Sequence, residues 1–235
     1  MGNVGAGHIS AKTGTKRFVV LLAVLWSVVV ALSAAWNLYE ERLASLRRMG
    51  AEARSAFNKD LVYRRWAAGH GGVYVPATED TPPNPYLAHI KERDLVTPSG
   101  RQLTLVNPAY MTRQVHELAL EQYGIRGHIT SLNPLRPENT PDPWEAEALR
   151  MLEKGAEEEV ISREEIEGEP FLRLMRPLMT EEECLKCHAG QGYKLGELRG
   201  GISVSIPLAP AAYAAARRGM PIATGHLLPS SLGVF

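Results

Sequence analysis

Residues 18–36 form an almost unbroken apolar run, interrupted only by Ser27 and Ser33. As a helix rising about 1.5 Å per residue, this run is long enough to cross the hydrocarbon of a bilayer. Beyond it, Leu46, Met49, Ala53, Phe57 and Leu61 recur at helical spacing among Glu52, Arg54 and Lys59. That pattern predicts an amphipathic helix continuing to about Tyr63, with the stripe packed on a folded domain. The heptad pattern is too short to specify a coiled coil, so a homodimer through this helix stays open.

Further on, the hydrophobic period switches between two and 3.6. Gly71 and Gly72 feed a short strand at Val73, Tyr74 and Val75, ended by Pro76. Residues 81–98 read as a loop, because Pro82, Pro83 and Pro85 remove backbone donors. Residues 101–106 alternate as a half-buried strand does, and Asn107 with Pro108 then opens a helix to about Tyr123 that Gly124 ends. A strand at 125–132 follows, then a helix opening at 141–144 and stopped by Gly155. Residues 160–166 and 171–179 flank the turn residues Glu167, Gly168, Glu169 and Pro170, a hairpin signal. Gly200 and Gly201 precede a last apolar strand over 202–206. Tight hairpins in this order predict an α+β fold, a mostly antiparallel sheet with helices on one side.

The chain divides accordingly into a disordered lead (1–17), an anchor (18–36), a stalk helix (37–65), the domain (66–209) and a C-terminal helix and tail (210–235). A cleavable signal peptide is the rival reading of the apolar run, with Ser33 and Ala35 as a small-x-small site, although signal-peptide cores are usually only about 7–15 residues long. Lys12, Lys16 and Arg17 before the run are balanced by Arg42, Arg47 and Arg48 after it, so charge alone does not orient it.

Across 235 residues, 26 lysines and arginines balance 26 aspartates and glutamates. No net charge draws the chain to nucleic acid, which argues against nucleic-acid partners. The sequence holds 2 cysteines, too few for a disulfide framework or a four-cysteine zinc site.

Those cysteines lie in Cys184, Leu185, Lys186, Cys187, His188, the C-x-x-C-H pattern of c-type haem attachment. Two thiols add across the two vinyl groups of one porphyrin, and the adjacent imidazole swings under the iron. Thr180 and Glu183 have the spacing of a capping box, so a short helix should begin at Glu181 and put residues 184, 187 and 188 on one face. The competing readings are a thioredoxin-like redox pair, half of a zinc site, or two incidental buried cysteines; the first lacks the thioredoxin pattern and the second lacks a partner cluster. In bacteria, covalent haem attachment takes place outside the cytoplasmic membrane. That orients the anchor with its N-terminus inside and a periplasmic domain on a single-pass inner-membrane protein.

For the sixth iron position His70, between Gly69 and Gly71, is the first candidate, ahead of His116, His128 and His89 or an open site. Arg173, Arg176 and Arg199 flank the cysteine segment and are candidate partners for the haem propionates, or else solvated strand charges. Tyr74, Tyr86, Phe171 and Tyr193 are candidates to pack on the porphyrin, Met111, Met175 and Met179 read as core fillers, and 157–159 reads as a solvated acidic turn. No Ser/His/Asp triad, phosphate loop or paired-carboxylate site emerges, which argues against an enzyme.

Several segments together resemble the haem c-binding, PAS-like sensor domain of bacterial membrane signalling proteins. They are 66–76 (WAAGHGGVYVP), 81–89 (TPPNPYLAH), 107–111 (NPAYM), 127–134 (GHITSLNP), 173–177 (RLMRP), 184–188 and 200–205 (GGISVS). The resemblance covers about residues 40 to 215 and implies a five-stranded antiparallel sheet, with a haem held at Cys184, Cys187 and His188. In that family a histidine kinase or diguanylate cyclase module follows. Here residues 220–235, with Pro221 and Pro229, are too short and broken for a second membrane helix, and no output module is expected. The leading expectation is a haem sensor of redox state or a small gas ligand. A monohaem electron-transfer cytochrome working with a redox partner is the alternative, and a haem enzyme such as a peroxidase ranks last.

Overall fold

The computed structural model describes residues 7–155 and 157–208, with side chains from Thr15 onward except at 186, 187 and 189. The expected C-terminal helix and tail, 210–235, lie outside the described residues. Two compact units are present, Met1–Arg48 and Met49–Phe235.

The first unit is helical throughout its described part. It belongs to α1 (Gly7–Gly69), whose apolar run is exposed along its length, and α1 is long and apolar enough to cross a membrane. A disordered lead over 1–17 was expected, but α1 already begins at Gly7; no proline interrupts the residues that follow.

In the second unit, α1 from Met49 onward lies on one face of a sheet. Ala53 and Phe57 are buried together with Ile129, Leu174, Leu178, Ile202, Val204 and Ile206, and Met49 and Leu61 pack at the margin, as the stripe predicts. Burying Phe57 contributes roughly 1.5–3 kcal/mol. That sheet joins β4 (Arg126–Thr130), β5 (Val160–Ile166), β6 (Glu169–Met179) and β7 (Leu198–Pro207) in the antiparallel order β4-β7-β6-β5. Its other face is covered by α3 (Pro143–Glu153), with Ala148, Leu149 and Leu152 against Met175. Glu167 (φ 55°) and Gly168 (φ 81°) both take left-handed backbone, so β5 and β6 join through a two-residue turn whose twist matches the strands.

A second sheet joins β1 (Val73–Pro76), β2 (Asp94–Val96) and β3 (Gln102–Val106) in the order β1-β3-β2. The single five-stranded sheet implied by the resemblance is therefore corrected to two sheets. β3 has both edges occupied, by β1 and β2, and has none left to join β4. The expected loop over 81–98 is likewise more ordered than predicted. Asn84 Oδ1 accepts the Tyr86 N–H to start a 3-10 turn at Pro85–Leu87, and β2 is fixed where Thr104 Oγ1 donates to Asp94 at 2.8 Å. Asn107 caps α2 (Pro108–Tyr123) and Gly124 closes it with φ 71°, as predicted.

Several polar groups lock these layers. Arg54 on α1 makes a two-pronged pair with Glu159 at 2.8 and 2.5 Å, so part of the acidic turn expected to be solvated is bound to the helix. His116 on α2 meets Asp60 on α1 at 2.7 Å, which occupies it structurally. Under α3 the buried Glu145 receives Ser203 Oγ, His128 Nδ1 at 2.9 Å and, at 3.3 Å, Arg173. Burial pulls the His128 imidazole down, but the hydrogen bond and charge of Glu145, with the Glu138 carbonyl and Asp142, outweigh it and its pKa is raised.

Two outcomes follow. A Cβ at Gly127 would stand 2.4 Å from His116 Cγ, so Gly127→Ala displaces that ring from Asp60. Urea denaturation should show a loss of about 1–3 kcal/mol. A raised native pKa means that protonated His128 stabilises the fold below about pH 6.5, a contribution lost as pH rises through the native value. Between about pH 6 and pH 9 the wild-type thermal midpoint should therefore fall further than that of His128→Gln; parallel curves would contradict the assignment.

Candidate functional site

A cleft of about 530 Å³ opens in the second unit, within the roughly 300–1,000 Å³ typical of small-molecule sites. Its apolar lining comes from Phe57, Leu61 and Ala68 on α1, Leu87, Ile90, Leu105, Pro108 and Ala109, and from Pro177 and Leu178 on β6. Arg64, Arg176 and Arg199 supply cations to its wall, and Cys184 and His188 face it from α4 (Glu182–His188). The cysteine segment thus meets a largely apolar recess, one helical turn separating Cys184 from His188.

Local chemistry explains how α4 arrives there. The capping box expected from Thr180 and Glu183 does not form. Thr180 is instead tied down by its backbone, its N–H donating to Glu197 O at 2.8 Å and its carbonyl accepting from Gly196, while its buried hydroxyl has no partner. The helix therefore starts one residue later, at Glu182, and the Glu181 N–H donates to Cys184 Sγ at 3.4 Å. Arg65 of α1 holds Glu181 at 2.7 Å.

The pairing of β6 with β7 slips at this point. Leu178 lies opposite Gly200 and Met179 opposite Leu198, so Arg199 is an extra residue on β7. Such a bulge redirects a side chain, and here Arg199 turns into the cleft. Its Nη1 donates to His188 Nε2 at 3.3 Å.

The imidazole of His188 is held from both sides. Gln191 Nε2 donates to the Asn133 carbonyl at 3.0 Å, which leaves Gln191 Oε1 as the acceptor 2.6 Å from His188 Nδ1. Nδ1 must then carry the proton, and the Nε2 lone pair accepts from Arg199 at the cleft wall. Burial lowers the pKa of His188, Gln191 opposes that shift, and the charges of Arg199 and Arg64 add to it. A neutral ring with Nε2 unprotonated is the form that binds a metal, and Arg199 would have to yield that nitrogen to it.

The residues picked out in the sequence are divided by the fold. Cys184, His188, Arg176 and Arg199 come together, and the side chain of Cys187 lies outside the described ones. Arg173 does not join them: it points under α3, pairs with Asp142 at 2.7 Å and stacks on Trp144 at 4.2 Å. His70 follows Ala68 and precedes Gly71, both in the lining. Its own ring lies against Trp66, with Nδ1 2.7 Å from the Trp66 carbonyl. His128 is engaged by Glu145. Phe171 is buried core rather than cleft, Met175 fills the core as expected, and Met179, expected there too, is exposed at the cleft.

Two residues escaped the sequence reading: Arg64 in the cleft lining and Gln191 behind His188. Gln191 carries no signal beyond its place three residues after His188. Arg64 does carry one, since it falls on the apolar stripe of Phe57, Leu61 and Ala68, where a charge needs a reason.

Gln191→Leu should release the ring. Nitrogen NMR above pH 7 should show the wild-type His188 almost wholly protonated at Nδ1 and the variant as a mixture of tautomers. Identical spectra would remove Gln191 from the site.

A family model described as Tll0287-like, Tll0287, matches residues 40–207. No curated protein matches. Among solved structures, the crystal structure of the cyanobacterial heme-protein Tll0287 is similar at 18% identity over 40% of this chain and 68% of that one, with a TM-score of 0.33. The family match spans well over half of the sequence and bears out the resemblance seen there: the chain belongs to the Tll0287-like family.

Proposed function

We propose that the chain is a membrane-anchored haem sensor, with one haem joined covalently to Cys184 and Cys187 and its iron ligated by His188. The observation that carries this reading is the His188 ring, neutral and locked by Gln191 with Nε2 toward an apolar cleft that Cys184 also lines. The C-x-x-C-H spacing supports covalent attachment, and the family takes its name from a cyanobacterial haem protein. Bound there, haem would supply an iron able to change redox state or take up a diatomic gas.

The chain's own residues have defined parts in this reading. Gln191 keeps Nε2 unprotonated for the metal, and Arg176 and Arg199 bring positive charge to the cleft wall. Phe57, Leu61 and Leu178 line the cleft with apolar surface and would keep water from a haem bound there. His70 would hold the iron opposite His188 if its ring left the Trp66 carbonyl, with Gly69 and Gly71 on either side constraining the backbone least. Such an exchange would give the two states that a sensor needs. The anchor is α1, and the domain faces the periplasm, where covalent attachment occurs.

Optical spectra of the chain, produced together with the haem-maturation machinery, test this. Carbon monoxide or nitric oxide should shift the reduced spectrum, as a displaceable sixth ligand requires. A gas-inert, six-coordinate haem would favour electron transfer instead. Replacing both Cys184 and Cys187 by alanine should abolish covalent haem. His70→Ala should convert a low-spin spectrum to high-spin in at least one redox state, and an unchanged spectrum in both would remove His70 from the iron.

A further inference from the structure

Arg64 is a buried cation with no carboxylate partner among the described residues. Its side chain sits on the core-facing stripe of α1 and lines the cleft. Nη1 donates to the Pro108 carbonyl and to Thr112 Oγ1, both at 3.3 Å, and among the described residues no carboxylate pairs with it. Burial, and then the charge of Arg199, brings its pKa down to about 10; Cys184, Asp60 and Glu181 oppose this only from a distance. A guanidinium is a two-pronged donor for planar carboxylates, and leaving one buried and unpaired is costly. Two long, neutral contacts satisfy Arg64 poorly. Arg199, the bulge residue, contributes a second positive charge to the same cleft, with its own Nε unpartnered.

We infer that Arg64, assisted by Arg199, forms a carboxylate subsite at the α1 wall of the cleft, and that its occupant is one propionate of the haem. This rests on the haem reading above and adds an orientation to it. The thiol attachment lies on the α4 wall, so the propionate edge turns toward α1.

The test is the reduction potential of the haem-loaded full chain between pH 5 and 8, for wild type, Arg64→Met and Arg64→Lys. A chain that carries no haem defeats the haem reading itself and is recognised before any potential is taken. With haem present, a propionate paired with Arg64 stays ionised and adds nothing to the pH dependence of the wild-type potential, which keeps only the shallower contribution of the other propionate. In Arg64→Met that carboxyl regains an ordinary titration, and the potential falls as pH rises across the range, because the new anion favours oxidised iron. Arg64→Lys keeps the wild-type profile. A potential lowered equally at every pH in Arg64→Met means that an uncompensated cation was removed, and overturns the pairing; so does an unchanged potential. Saturable shifts of the wild-type potential by added acetate would show the occupant to be a free anion and overturn the propionate assignment. If Arg64→Met fails to fold, carbon-13 NMR of wild type with labelled propionates decides. One carboxylate ionised down to about pH 4 is expected, and two titrating together in the ordinary carboxylate range contradict the inference.

Discussion

Packing of the α1 stripe onto the β6 and β7 face is the interaction on which the rest of the second unit depends. Ala53 and Phe57 sink among Leu174, Leu178, Ile202 and Val204, which fixes the rotation of the helix about its axis. Once that rotation is set, the next residues of the same stripe, Leu61, Arg64 and Ala68, must point the same way. The sheet ends before they do, and they overhang the cleft instead. The wall of the site is thus the continuation of the core, with one arginine where a leucine would otherwise be.

The opposite wall depends on a departure from regularity. A continuous β6–β7 ladder would pair Arg199 in register; the extra residue at that point sends its guanidinium toward His188. Thr180, tied through its backbone to 196 and 197, closes the loop that carries α4 and Gln191. Within this short segment the imidazole acquires a donor on one side and an acceptor on the other, and its protonation is decided before any ligand arrives. The buried network of Glu145, Ser203, His128 and Arg173 sits on the other face of the sheet and anchors α3, separate from the cleft.

Much of this was legible in the sequence because its signals are local. Periodicity placed the helices, Asn107 and Gly124 bounded α2, and the Glu167 and Gly168 turn located the β5–β6 hairpin. The C-x-x-C-H pattern likewise reads from five consecutive residues. What escaped depends on pairing between distant segments. Two sheets rather than one follow from β3 using both its edges, and no local pattern reports that. The bulge at Arg199 is a register slip between strands that sequence alone does not fix. Arg173 was misjudged for a simpler reason. It lies an odd number of residues from Arg176, so in one strand the two must face opposite sides, and the alternation of β6 already implied that only one could join the cleft. Arg64 was visible too, as a charge on an apolar stripe.

Membership of the Tll0287-like family supports a bound haem, and the proposal that it is held covalently has one direct readout. The intact mass of the chain, made in a host with haem-maturation machinery and measured under denaturing conditions, separates a covalent cofactor from one that merely sits in the cleft. The account predicts a single species heavier than the polypeptide by one haem. A mass equal to the polypeptide alone, with haem lost on unfolding or never bound, would contradict it.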